Sequence, residues 1–124
     1  MKVLLSIKPE YANKIFSGEK KFEFRKRVFK NLEVHTVVVY STMPVGRIIG
    51  EFSIKHIHQD SPESIWHKTK RFSGIDENFF NEYYDGRDLA FAIEVDNPVL
   101  YKEPINPKEQ YANFTAPQSF KYLV

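Results

Sequence analysis

Residues 17–27 read Ser17-Gly18-Glu19-Lys20-Lys21-Phe22-Glu23-Phe24-Arg25-Lys26-Arg27. Gly18 is free to take the positive φ that closes a helix, and a period-two run follows it at once. In an extended strand Phe22 and Phe24 point to one face, and Lys21, Glu23, Arg25 and Arg27 to the other. The apolar row suits a half-buried strand. The polar row sets three cations around a single carboxylate. Such a row serves either as a solvated, self-balanced face or as an anion site, with Arg27 as a phosphate candidate at its end.

Outward from this strand, the preceding segment reads as a helix. Pro9 suits a first helical turn, Tyr11, Ala12, Ile15 and Phe16 recur at helical spacing, and Gly18 stops the run. Residues 3–7 are a short apolar strand, so the chain opens strand, helix, strand, with Lys8 at the first junction. Downstream, residues 28–33 form a loop. Val37, Val38, Val39 and Tyr40 mark a strand over 34–42, which Met43-Pro44-Val45-Gly46 breaks. A second strand over 47–58 has an irregularity at Gly50, and the two are expected to pair antiparallel.

Ser61, Pro62 and Glu63 start a short helix carrying Ile65 and Trp66, which ends at Ser73-Gly74. Asp76 starts another, with Phe79, Phe80, Tyr83 and Tyr84 on one side as core residues. Residues 89–95 form a strand, Asn97-Pro98 a turn, and 99–102 a last short strand. The tail holds Pro104, Pro107 and Pro117, yet its closing Phe120, Tyr122 and Leu123 are expected to pack. No regular βαβ alternation is present. The expected class is α+β: a small mixed β-barrel of five to six strands, with one N-terminal helix and two short helices at its rim.

A chain of 124 residues suggests a single domain, 1–124, able to bury its own core. It has no cysteine, which excludes disulfides and thiolate zinc sites. No signal-peptide pattern opens the chain and no apolar run approaches the ~20 residues of a membrane span, so a soluble cytoplasmic protein is expected. The formal charge is only +2 but is unevenly spread. Residues 1–30 hold nine Lys or Arg against three Glu, a net +6, and the other 94 hold nine against thirteen acids, a net −4. A basic edge of this kind faces an anionic partner, nucleic acid first. His56 and His58 share a strand face without a third ligand, so no metal is expected. There is no phosphate loop, dinucleotide fingerprint or nucleophile elbow, and no cofactor is expected. What remains is Lys20, Lys21, Glu23 and Arg25. A lysine beside a carboxylate can move protons if burial shifts a pKa; the same groups can clamp a phosphate and read a hydrogen-bond donor.

Three segments carry a family resemblance. Gly18, Lys20, Glu23 and Arg25 match the signature Gly-x-Lys-x-x-Glu-x-Arg, following Leu5-Ser6-Ile7-Lys8-Pro9. Tyr40-Ser41-Thr42, Pro44-Val45-Gly46 and Ile49-Gly50-Glu51 look like a second core strand and its turn. Ala116-Pro117-Gln118-Ser119-Phe120 is similar to the C-terminal end of a prokaryotic branch. Together they resemble the ASCH-domain family of the PUA-like superfamily. The resemblance implies a PUA-like β-barrel that binds RNA or a modified nucleotide in a cleft beside the first helix. Lys20, Glu23 and Arg25 would line it, Ser6 and Lys8 would stand nearby, and Ser41 and Thr42 would approach from the end of a core strand. One branch of the family deacetylates N4-acetylcytidine with a Lys and a Thr nucleophile. Lys20 matches that Lys, but Glu23 stands where that branch has Thr, and Asp76, Glu77 and Glu82 are the acids available for its assisting carboxylate. The expected function is therefore an RNA- or modified-nucleotide-binding module. The alternative is an amidohydrolase acting on an acylated nucleobase, with Lys20 and Glu23 as its catalytic pair.

Overall fold

A computed structural model describes residues 1–123. Its six strands form one sheet in the order β2-β5-β4-β3-β1-β6. They are β1 (Lys2–Ile7), β2 (Phe22–Arg25), β3 (Thr36–Ser41), β4 (Arg47–Asp60), β5 (Ala90–Ile105) and β6 (Lys121–Leu123). Helix α1 (Pro9–Ser17) joins β1 to β2. Helix α2 (Pro62–Thr69), a 3-10 turn (Lys70–Phe72) and helix α3 (Glu77–Tyr83) lie between β4 and β5, and α4 (Pro107–Gln110) precedes β6.

β1 pairs with β3 in parallel, from Lys2 opposite Thr36 to Ile7 opposite Ser41. Its two faces are both covered, as parallel strands require: Val3, Leu5 and Ile7 enter one core with Val37, Val39 and Phe52, while Leu4 enters another with Val38, Tyr40 and Ile48. β3 and β4 are the antiparallel pair read from the sequence, with a register shift at Val39 and Tyr40. A third cluster packs Phe24 of β2 against Ile65, Phe80 and Tyr84 of the helices that follow β4.

Three expectations need correction. The sheet is not closed into a barrel: β2 and β6 are its two ends, and no ladder joins them among the described residues. β6 has only three residues, all of them paired to β1, which leaves little backbone for a second ladder. Asn97-Pro98 is not a turn. β5 runs through it unbroken, with Asp96 opposite Ser53 and Val99 opposite Glu51, so two residues bulge against one. Asn97 absorbs the extra length with φ 47°, a conformation Asn tolerates better than most residues. The tail also holds α4, a helix beyond the three expected, capped by the Asn106 side chain, which accepts from the Lys108 amide.

Candidate functional site

The site is built on the end of α1 and the strand after it. Pro9 occupies the first turn of α1, and Gly18 closes the helix with φ 89° while its amide donates to Ile15 O at 3.3 Å. The Lys20 amide then donates back to Lys14 O at 3.0 Å, and the Lys21 amide to Phe72 O at 2.8 Å. These bonds fix the backbone where Lys20 leaves it. β2 continues antiparallel to β5, with Glu23 opposite Ile93 and Arg25 opposite Phe91. The Tyr84 hydroxyl donates to Arg25 O at 3.0 Å and holds the strand's end.

A cavity of about 220 Å³ opens there. The end of β1 and its junction supply Ser6, Ile7 and Lys8, and α1 supplies Tyr11. Lys20, Glu23, Phe24 and Arg25 form a second wall, and the segment into α3 closes the third with Ile75, Phe79 and Tyr83. Lys20 is 2% exposed and Glu23 7%, unusual burial for charged residues.

Each buried charge has a partner. The Lys20 ammonium donates to Ser73 O at 2.7 Å and lies 4.6 Å from the Phe24 ring centroid and 5.7 Å from that of Tyr11, within cation–π range. Arg25 Nη1 meets Glu23 Oε2 at 3.2 Å and donates to Ser6 O at 3.4 Å, while Nη2 donates to Ser119 O at 2.6 Å. Glu23 Oε1 accepts no hydrogen bond among the described residues. The Ser6 hydroxyl is committed to Pro117 O at 2.8 Å.

Burial pulls the Lys20 ammonium down to about 8; the negative charge of Glu23 resists the fall and the positive charge of Lys14 adds to it. Burial raises the Tyr83 phenol, with the Arg25 guanidinium acting against the rise. The sign for Lys20 sets two pH effects. The fold releases the Lys20 proton near pH 8, whereas an unfolded chain keeps it to about 10.4. Stability therefore rises with pH between those values, because the unfolded chain binds the extra proton there. Capture of an anion by a protonated Lys20 would run the other way, weakening as pH rises above about 8. Affinity measured from pH 6 to 9 checks this: it declines near 8, where ordinary lysines remain charged.

Gly74 keeps Lys20 in place. It adopts φ +71°, and a Cβ there would lie 2.7 Å from both Cβ and Cγ of Lys20. Gly74→Ala costs about 1–2 kcal/mol for the left-handed backbone alone and also presses on the lysine. The expected outcome is a lower melting temperature together with a Lys20 pKa restored towards 10, readable by side-chain NMR.

Of the residues singled out in the sequence, Ser6, Lys8, Lys20, Glu23 and Arg25 meet at the cavity. The others do not. Lys21 turns away, with its ammonium 4.2 Å from the Phe72 ring centroid. Arg27 lies in an adjoining groove that shares Arg25 and Tyr83 with the cavity. Ser41 is buried, and the Thr42 amide donates to Ile7 O at 3.1 Å; neither residue lines the cavity. The sequence reading missed Tyr11, Ile75, Phe79 and Tyr83 as lining residues. Phe79 and Tyr83 form one i, i+4 pair on α3 and Phe80 and Tyr84 the next; both pairs carry the same signal, and only the second is buried in the core. His58 is paired with Glu94 at 2.8 Å, and no group of three or more metal-ligating side chains occurs among the described residues.

A family model described as the ASCH domain matches residues 5–99. The chain belongs to the ASCH-domain family. An "ASCH domain-containing ribonuclease" from Zymomonas mobilis is 32% identical over 125 residues, covering 97% of this chain and 82% of its own. A protein named large ribosomal subunit protein uL22 from Ureaplasma parvum is 31% identical over 122 residues; the match covers 98% of this chain but only 39% of that relative. Among solved structures, the crystal structure of ASCH from Zymomonas mobilis superposes with a TM-score of 0.90 at 30% identity, covering 99% of this chain and 87% of that one. A serine-to-alanine mutant of the same ASCH protein gives 0.91 at 30% identity, over 99% and 88%. Among the described residues of this ASCH chain no helix is long and apolar enough to cross a membrane.

Proposed function

We propose that this ASCH-domain protein binds single-stranded RNA, places one nucleotide unit in the cavity beside α1, and acts on its phosphodiester backbone. The observation that carries the reading is the burial of Lys20 in a cavity it shares with the Glu23–Arg25 pair. Burying an ammonium is costly unless its charge is used or paired, and the hydrogen-bond partner of Lys20 among the described residues is a neutral carbonyl, Ser73 O. An anion in the cavity gives it that use, and phosphate is the anion that a lysine and a planar guanidinium hold together. The volume, about 220 Å³, lies below the roughly 300–1,000 Å³ of drug-sized sites and suits one nucleotide rather than a folded RNA. Phe79 and Tyr83 offer rings on which a base can stack. The ribonuclease name of the Zymomonas mobilis relative supports RNA as the ligand class.

The groups also suit cleavage. In transphosphorylation the 2′ oxygen attacks the adjacent phosphorus and the bond to the 5′ oxygen breaks. Glu23 Oε1 is the acceptor for the 2′-hydroxyl proton. Lys20, with its pKa drawn towards neutrality, is the donor to the departing 5′ oxygen, and Arg25 neutralises the negative charge that develops on the non-bridging oxygens of the phosphorane. The products are a 2′,3′-cyclic phosphate and a 5′-hydroxyl end. The amidohydrolase alternative fits the geometry less well. Glu23 stands at the nucleophile position of that branch, where a carboxylate is a poor substitute for an amide-cleaving hydroxyl, and the cavity's one serine hydroxyl is tied to Pro117 O.

The test is incubation with a single-stranded RNA, cytidine and N4-acetylcytidine, followed by mass spectrometry and a salt series of RNA affinities. Cyclic-phosphate fragments and salt-sensitive binding support the proposal. Intact RNA with loss of the acetyl group replaces it with the amidohydrolase, and intact RNA without binding overturns it.

A further inference from the structure

Arg25 and Tyr83 belong to two depressions at once. On one side they close the cavity over Lys20. On the other they border a groove of about 270 Å³ whose further walls include Lys26, Arg27, Arg87 and Ser119. No acidic residue lines it. Among the described residues, Lys26, Arg27 and Arg87 enter no ion pair, and Glu23 engages Arg25 from the cavity side. The chain's own folding uses neither guanidinium of Arg27 and Arg87: both residues are exposed, and the Arg87 amide, not its guanidinium, is what the turn after α3 uses, donating to Tyr84 O at 2.9 Å. The Lys26 ammonium sits 4.7 Å from the Tyr83 ring centroid, on the ring that separates groove from cavity.

We propose that this groove is a phosphate subsite for the neighbouring nucleotide of the strand, so that the site takes an oligonucleotide rather than a free nucleoside or mononucleotide. The inference rests on the RNA reading of the cavity. Its physical basis is continuity: a strand with one unit beside Lys20 passes Tyr83 and meets Arg27 and Arg87 next. Unpaired guanidiniums in a groove that no carboxylate lines among the described residues match the regular charge of a phosphodiester chain; Arg87 also borders a second depression, whose walls include Glu63, Glu77, Asp85 and Asp88.

The experiment compares a 2′-O-methyl decamer, which carries the same phosphates and cannot be cleaved through its 2′ oxygens, with cytidine 5′-monophosphate. Affinities are measured across a salt series for the wild type and for the Arg27→Gln/Arg87→Gln protein. The wild type binds the decamer tighter than the mononucleotide. In the double variant the ratio of the two affinities falls about tenfold or more. The decamer's log–log salt slope shrinks by about 0.7 for each phosphate that the protein no longer neutralises. A ratio and slope that stay at their wild-type values overturn the subsite while leaving the cavity reading intact. An oligo-glutamate peptide that competes as well as the decamer overturns it in favour of an acidic protein partner. Failure of the wild type to bind either nucleotide ligand overturns the cavity reading, and the subsite with it.

Discussion

Lys20→Met is expected to lower the proposed RNA cleavage by at least about 100-fold, the size of effect seen when a preorganised charge is removed from a reacting phosphate or oxyanion, and to leave the melting temperature within a few degrees of wild type. Two effects set the stability result. Methionine removes an ammonium that burial disfavours strongly enough to bring its pKa to about 8, which stabilises the fold. It also deprives Ser73 O of a 2.7 Å hydrogen bond, a loss of about 1–3 kcal/mol. The two oppose each other and are similar in size. Activity assays beside a thermal melt check both halves. A variant that melts far below wild type would assign Lys20 to the scaffold instead of the chemistry.

Arg25→Met has the opposite signature, a large loss of stability. The guanidinium ties β2 to the carbonyls of Ser6 and Ser119 and pairs with Glu23, whose side chain is 9% exposed beside 13% for Arg25. Removing one member of a buried pair leaves the other uncompensated and costs about 3–5 kcal/mol, a fall of roughly 10–20 °C in a domain of this size. Glu23→Gln in the same chain removes the stranded charge and restores a substantial part. It does not restore the bonds to Ser6 and Ser119, so the double variant stays below wild type. Denaturant unfolding of the two single variants and the double measures the coupling. Additive losses would show that Glu23 and Arg25 are not energetically linked.

Much of the fold was legible because local chemistry and tertiary environment agree. Gly18 takes the positive φ that its place after an apolar helix demands, and the strand over Phe22 and Phe24 forms where the alternation put it. Asn97-Pro98 misled because the same two residues serve a turn or a bulge; the long pairing of β4 with β5 decides for the bulge. The parallel pairing of β1 with β3 leaves no local trace, since nothing in either strand names its neighbour. At the site, the signature residues were visible as a charged cluster, but their burial was not. Lys20 is enclosed by Ser73, Gly74 and Ile75, more than fifty residues away in sequence, and a lysine facing water has the same one-letter code. Arg87 was passed over for the same reason: its neighbours in sequence are Gly86 and Asp88, and only the turn after α3 brings it beside Arg25 and Arg27.

On the proposed reading, a buried, readily deprotonated Lys20 receives the RNA phosphate. Lysine side-chain NMR with ¹³C-labelled lysine measures it most directly, as a titration of the free protein repeated with saturating 2′-O-methyl decamer. One lysine, absent from the Lys20→Met spectrum, is expected to titrate near pH 8 in the free protein and to move to higher pH when the RNA is bound, because an adjacent anion favours the charged form. A Lys20 that titrates above 10 in the free protein, or whose titration does not move with RNA present, would contradict it.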